Sequence, residues 1–360
     1  MKKPIDRKKG KQYIKDVKRF RLEKKMMVTI YDIAKHSGYS IATVSKALNN
    51  KGVSEKAKKK ILASVKELGY TPNSSARTLA TNKSWMIGVV FGETLGIGIA
   101  HPFFSEVIEA FKRHAELYGY DLLFVSRHMG LQQETYKHLL HRGVDGIIVI
   151  QAFGEDELSG VSQPIPTVYI DRPTNKPGSV HSDNKAGSLL AVKHFVENGH
   201  TKIAHIMGDP ENFAGRERLN GFKEAMELHD LPIQENYIVN GGFYGYAGGR
   251  EAMIRLLSLK ERPTAVYVAG DEMAIAAMKV TKEWGLRVPE DISFIGFDDV
   301  KLAQHVDPPL TTIKQDKELI GQQSAILLLD KINNKDKTTA VDRKVIPVSL
   351  VKRESVYSLK

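Results

Sequence analysis

Cysteine is absent from all 360 residues. That excludes disulfides and thiolate metal sites, and it fits a cytoplasmic protein. No apolar run reaches the roughly 20 residues of a membrane-spanning helix, and no hydrophobic signal segment follows the basic N-terminus, so no membrane partner is expected. Enzyme fingerprints are missing as well. Gly96-Ile97-Gly98-Ile99-Ala100 is an incomplete dinucleotide loop that runs into His101-Pro102, and neither a P-loop nor a GxSxG elbow occurs. His138 and His141 have HxxH spacing without a third ligand and read as exposed helix residues. The chain is therefore expected to be no enzyme and to need no metal or cofactor.

What is present is an uneven charge. Of the net +11, residues 1–25 carry +9 (12 Lys and Arg against 3 Asp and Glu) and residues 26–80 carry +6 (9 against 3), which leaves −4 for the rest. A polyanion should meet the N-terminus, because clustered Lys and Arg give the salt-dependent attraction expected toward DNA. Met26-Met27 stand directly before the first helical pattern. Residues 1–25 are accordingly read as a basic extension, disordered, which adds only non-specific DNA affinity or lies upstream of the true start.

The stretch VTIYDIAKHSGYSIATVSKALNN, residues 28–50, holds two short helical patterns. Thr29 can cap the first, which carries Ile30, Ile33 and Ala34 at helical spacing. Gly38 can end it in the left-handed conformation, and Ser40 caps the second only two positions later. That second pattern places Val44 and Leu48 on one face and Ile41, Ala42, Ser45 and Lys46 on the other or at its margin. A small, apolar outward face with one cation is unlike an ordinary exposed helix and suggests a helix-turn-helix whose second helix enters the major groove; the alternative is a helical hairpin inside a larger core. Val53-Ser54 opens a third helix with the stripe Ile61, Leu62, Val65 and Leu68 and the lysines 56, 58, 59 and 60, and Gly69 stops it. After the turn Tyr70-Thr71-Pro72-Asn73, the segment 74–84 is too short for a stable isolated helix. Arg77 and Leu79 make sense together in a minor groove, with leucine wedged into a base step; otherwise Leu79 is an exposed leucine in a linker.

From Trp85 onward, apolar runs such as MIGVVF, VDGIIVI, TAVYVAG and DISFIGFDD alternate with helical segments, the pattern of α/β lobes with parallel sheets. Ligand sites in such sheets lie at the carboxyl ends of strands, where Asp171, Gly270-Asp271 and Asp298-Asp299 fall.

Three ordered signatures, TIYDIAKHSGYSIATVSKALN, GYTPNSSARTLA and PPLTTIKQD with VIPVSLVKRES, make the chain from about Met27 to Arg353 resemble the lac/gal repressor family. The resemblance implies a helix-turn-helix domain over 27–72, a hinge helix and linker over 73–84, a two-lobed core over 85–353 like periplasmic sugar-binding proteins, and a tail over 354–360. It places Ile41, Ala42 and Lys46 on the main base-contacting positions, with Thr29, Tyr31, Ser40, Thr43, Ser45 and Asn49 as further DNA contacts. In the hinge it implies Leu79 as the wedge, Ala80 as a neighbouring specificity position, and Asn73, Ala76 and Arg77 as contacts. Lys46 departs from the arginine of many members and lacks a fixed fork for bidentate bonding to guanine. Effector positions implied are Asp171, Arg218, Phe243, Gly270, Asp298 and Gln315. Gly270 stands where many sugar-responsive members have asparagine, a departure from the sugar pattern that resembles the purine-responsive branch, and Lys317, where the lac repressor has an aromatic, offers a cation for a phosphate.

The expected function is a homodimeric repressor of carbohydrate-use genes. It would bind a pseudo-palindromic operator with a central CpG step and answer to a sugar or sugar phosphate. No tetramer is expected, because the residues after Arg353 are too few for the leucine heptads of the lac repressor. The alternatives are a global regulator controlled by a protein partner, or a solute-binding protein on the same core.

Overall fold

The computed structural model describes residues 28–48, 52–71, 78, 81, 83–91, 98–126, 132–150, 165–172, 178–242, 244–334 and 343–360. They belong to two compact units, one ending at Ser84 and the other running from Trp85 to Lys360.

The first unit contains helices α1 (Ile30–Ser37), α2 (Ile41–Leu48) and α3 (Glu55–Leu68). Thr29 and Asp32 form a reciprocal capping box: the Thr29 amide donates to the Asp32 carboxylate at 2.8 Å, and the Asp32 amide donates to the Thr29 hydroxyl oxygen at 3.4 Å. Gly38, at φ 75°, ends α1. Ser40 and Ser54 accept the first-turn amides of Thr43 and Ala57, and Gly69, at φ 63°, ends α3. Ile33, Val44, Ala47 and Ile61 are the centre of this small core. One expected stripe residue is displaced: Leu62 is 44 % exposed, while Ser64 is buried. Residues 57, 61, 64 and 68 follow the 3.6-residue period and 62 stands about 100° away from it. Ser64 tolerates burial because its hydroxyl donates to the Lys60 carbonyl at 3.1 Å.

The second unit is two lobes, each around a six-stranded sheet. Lobe 1 has strands β1 (Met86–Phe91), β2 (Asp121–Ser126), β3 (Gly146–Ile150), β4 (Thr167–Ile170), β5 (Ser179–Ser182) and β11 (Arg343–Ile346), in the order β11-β5-β4-β3-β1-β2, all parallel. Lobe 2 has β6 (Ile203–Met207), β7 (Ile238–Asn240), β8 (Ala265–Val268), β9 (Ser293–Asp298), β10 (Thr311–Gln315) and β12 (Val348–Val351), in the order β12-β10-β9-β8-β6-β7, with only β12 antiparallel. Sheet 1 packs α4 (Pro102–Leu117) and α10 (Lys317–Asn333) on one face and α5 (Gln132–Arg142) on the other. Sheet 2 lies between α6 (Asn184–Glu197) with α7 (Phe213–Leu228) and α8 (Tyr246–Leu257) with α9 (Asp271–Glu283).

The chain passes between the lobes at Asp183, Asp316 and Pro347. Asp183 and Asp316 cap the helices that follow, and the Asp183 amide donates to the Ile346 carbonyl at 2.9 Å, which ties two crossings together. The segment 354–360 is stitched into lobe 2. Ser355 is fully buried, its hydroxyl oxygen taking the Thr311 amide at 2.8 Å and its proton going to the Phe294 carbonyl at 2.7 Å.

Candidate DNA-reading face and effector cleft

Helix α2 is pinned by Val44 and Ala47, which are buried against α1 and α3. Its other side is therefore presented outward. Ile41 is 41 % exposed, Ala42 and Lys46 are exposed, and Thr43 and Ser45 are half-buried. Ser40 and Thr43 share a hydroxyl hydrogen bond at 2.9 Å, so their polar atoms also steady the start of the helix. Tyr31 is exposed on α1, while Thr29, though exposed, has its hydroxyl engaged with Asp32 at 2.7 Å. An exposed branched aliphatic, a methyl and an ammonium on one face can meet thymine methyls and a guanine edge. Lys60 turns toward the α1–α2 turn, its ammonium 5.7 Å over the Tyr39 ring. The expected contacts Asn49, Asn73, Ala76, Arg77, Leu79 and Ala80 lie outside the described residues. His138 and His141 are exposed on α5, and no metal-binding cluster occurs among the described residues.

In the core, Arg218 on α7, Gly270 before α9, Asp298 at the end of β9 and Gln315 at the end of β10 all belong to lobe 2, and Asp171 after β4 comes from lobe 1. Phe243 lies outside the described residues. Arg218 is 3 % exposed. Its Nε donates to Asn184 Oδ1 at 2.8 Å and its Nη1 to the Ala269 carbonyl, and its guanidinium lies 3.7 Å over the Phe297 ring and 5.4 Å from the Tyr244 ring. Nη1 is 3.9 Å from Asp298 Oδ1, which also accepts from Gln315 Nε2 at 2.6 Å. The Arg218–Asp298 pair thus sits within one lobe and does not clasp the two together.

Burial pushes the Asp171 carboxyl up to about 6, with the nearby Arg218 opposing and Asp298 reinforcing the shift. Among the described residues, Asp171 Oδ1 and Gln315 Oε1 are buried acceptors without a hydrogen-bond partner. The cleft therefore offers acceptors beside one oriented guanidinium, a set that suits a ligand rich in hydroxyl or N–H donors.

Three other polar residues at strand ends have internal roles. Asp271 Oδ2 accepts the Val300 amide at 2.8 Å and Oδ1 the Thr312 hydroxyl at 2.6 Å. Asp299 pairs with Arg353 at 2.6 Å. Lys317 corrects the phosphate expectation: it is buried, its ammonium donates to the Asp298 and Asp299 carbonyls at 2.7 and 2.9 Å, and Glu106 lies 3.7 Å away. That cation is already neutralised and coordinated. No motif in the sequence marks Asn184 and Tyr244, which orient or flank Arg218. The only sequence signal for them is position, Asn184 directly after a lobe crossing and Tyr244 after Gly241-Gly242.

The comparisons with known proteins agree with this arrangement. The model of bacterial regulatory proteins of the lacI family matches residues 29–73, and that of the periplasmic binding protein-like domain matches residues 192–356. The HTH-type transcriptional repressor PurR of Yersinia pestis (strain Pestoides F) is 38% identical over 341 residues, which cover 92% of this chain and 97% of the relative. The chain belongs to the lac/gal repressor family. The lac repressor dimer bound to operator and the anti-inducer ONPF is similar throughout, with 31% identity, a TM-score of 0.78 and coverage of 92% of this chain and 99% of that one. The transcriptional regulator CelR in complex with cellobiose gives 30% identity and a TM-score of 0.71, with 91% and 99% covered. This repressor accordingly combines a helix-turn-helix domain with a two-lobed effector-binding core, and its relatives are regulators of transcription, not enzymes.

Proposed function

We propose that this repressor acts as a homodimer on a pseudo-palindromic operator with a central CpG step, and that an uncharged sugar controls its release from carbohydrate-use genes. Ile41, Ala42 and Lys46 read each half-site, with Thr29, Tyr31, Ser40, Thr43, Ser45 and Asn49 around them. Leu79 wedges the centre, flanked by Asn73, Ala76, Arg77 and Ala80. Two-fold pairing is supported by an apolar groove of about 480 Å³ on lobe 2, lined by Ile275, Met278 and Val306 and rimmed by Lys279, Lys282 and Asp307, which a second copy would cover.

The observation that carries the sugar reading is the donor and acceptor balance of the cleft. Asp171, Asp298 and Gln315 present acceptors, Arg218 is the cation held among them, and Lys317 is bonded elsewhere. A sugar hydroxyl pair satisfies this set; a phosphate brings two negative charges toward two carboxylates. The similar structure that holds cellobiose supports the same class. The test is to recover the genomic fragments that the protein retains. Binding of those fragments is then measured at one fixed salt concentration with D-glucose, D-ribose, cellobiose or glucose 6-phosphate. Release by a neutral sugar is expected; release by glucose 6-phosphate alone sinks the reading.

A further inference from the structure

Tyr244 occupies an unusual place. It is 6 % exposed, and its φ of 45° is in the left-handed region that side chains other than Gly, Asn and Asp rarely adopt. Such a conformation persists where the surroundings over-determine it, and it is a pointer to function. The surroundings are specific. The phenol donates to Asn212 Oδ1 at 3.2 Å, and the ring stands 5.4 Å from the Arg218 guanidinium. The ring also lies against two glycines. A Cβ at Gly208 would stand 2.6 Å from the Tyr244 ring and hydroxyl, and a Cβ at Gly270 would stand 3.1 Å from Tyr244 Cδ1. Gly270, read from the sequence as a departure from the asparagine of sugar-responsive relatives, therefore has a physical partner. A side chain at 270 would crowd the Tyr244 ring, which would have to give by a few tenths of an ångström.

We propose that Tyr244 is a specificity-determining residue of the effector cleft. Its ring fills the notch between Gly208 and Gly270, replaces a polar amide at 270 with an aromatic surface beside Arg218, and takes the apolar C–H face of a neutral sugar ring. This rests on the sugar reading of the cleft. A C–H face on an aromatic ring is a weakly directional apolar contact, so the surface selects by ring shape, while Arg218 and the acceptors select by hydroxyl position.

The experiment uses the full chain and the variants Tyr244→Ser, Tyr244→Phe, Gly270→Asn, Arg218→Ala and the double variant Tyr244→Ser with Gly270→Asn. Thermal unfolding is followed, and calorimetric titrations are made with D-glucose, D-galactose, D-ribose and cellobiose. Gly270→Asn overpacks the notch and is expected to lower Tm and weaken sugar binding about tenfold or more. Tyr244→Ser in the same chain should recover most of that Tm loss and change the order of sugar affinities, whereas Tyr244→Phe keeps the order because the ring remains. A Gly270→Asn substitution no better tolerated in the Tyr244→Ser background than beside the native tyrosine overturns the exclusion. Sugar binding that Arg218→Ala abolishes, but whose order survives Tyr244→Ser, overturns the selector role and leaves the cleft reading intact. A wild-type chain that binds none of the four sugars overturns the sugar reading together with the ligand role of Tyr244.

Discussion

The two units keep their candidate recognition side chains in opposite conditions. On α2, Ile41, Ala42 and Lys46 stand in the open, and only the far side of the helix is fixed. In the core, Arg218, Asp298 and Gln315 are buried, and Asp298 is paired with Arg218 and accepts from Gln315. The difference follows from the ligands. DNA arrives with its own rigid surface and dense charge, so the protein needs only a well-held helix with an accessible face. A small ligand supplies little area, so the cleft has to hold its donors and acceptors in place beforehand. Substitutions at the reading face should therefore change binding and spare stability, whereas substitutions in the cleft should change both.

Arg218→Ala is the most severe test of that contrast. It leaves Asp298 and Asn184 without their guanidinium partner inside the core, and breaking one side of a buried charged pair costs about 3–5 kcal/mol. Chemical denaturation should show a loss of that size in the core transition. At temperatures where the variant stays folded, its operator affinity without effector should match wild type while the response to the effector disappears. An unchanged core transition would mean that the cleft is not preorganised by this residue.

Asp171→Asn should have the opposite sign. A carboxyl at about 6 in the folded chain, against 3.8 as its ordinary value, binds more protons folded than unfolded between these limits. Stability falls as pH rises through that window, and above it the ionised Asp171 costs at most about 3 kcal/mol. Asparagine lacks this cost. The variant should be more stable than wild type at pH 7.5, and the gain should vanish near pH 4. A gain that is equal at both pH values would show that Asp171 is not the titrating group.

Much of the reading unit was legible in advance, since its signals are local. Gly38, Ser40, Ser54 and Gly69 mark helix ends by their own backbone and hydroxyl chemistry, and the structure has each in that role. Leu62 shows the limit: hydrophobicity put it in the stripe, but only helix phase against α1 and α2 decides burial. In the core, continuous apolar runs announced β1, β3, β8 and β9. β5, with the sequence Ser179-Val180-His181-Ser182, reads as polar yet is buried, because it lies between β4 and β11. The roles of Tyr244 and Lys317 depend on atoms from β9, α7 and α4, which no local pattern could supply.

Lys46→Ala sharpens the comparison from the exposed side. The ammonium is at the surface and bears on no core contact, so the stability of either unit should stay within about 0.5 kcal/mol. Operator affinity should fall by about 1–3 kcal/mol if the lysine donates to a base edge, with a much smaller loss on random DNA. Equal losses on both would reduce Lys46 to a phosphate contact. Lys46→Arg should retain or tighten specific binding, since the guanidinium adds a planar fork at the same position.

Gly38→Ala carries the smallest expected effect and isolates backbone conformation from everything else. At φ 75° an L side chain is strained, yet the nearest atom to a new Cβ is Lys60 Nζ at 3.8 Å, the free end of a flexible chain. No collision contributes, so the cost should be the conformational one alone, about 1–2 kcal/mol. That loss should appear only in the unfolding of the N-terminal unit. Because this unit buries a small core around Ile33, Val44, Ala47 and Ile61, even a loss of this size lowers the folded fraction of the helix-turn-helix. Operator affinity should fall in proportion, while the core transition and the sugar titrations stay at wild-type values. Gly38→Asn should cost less than alanine, because asparagine enters the left-handed region more readily. Alanine and asparagine variants with identical unfolding would show that the turn does not require that conformation, and the connection from Gly38 to the orientation of α2 would be lost.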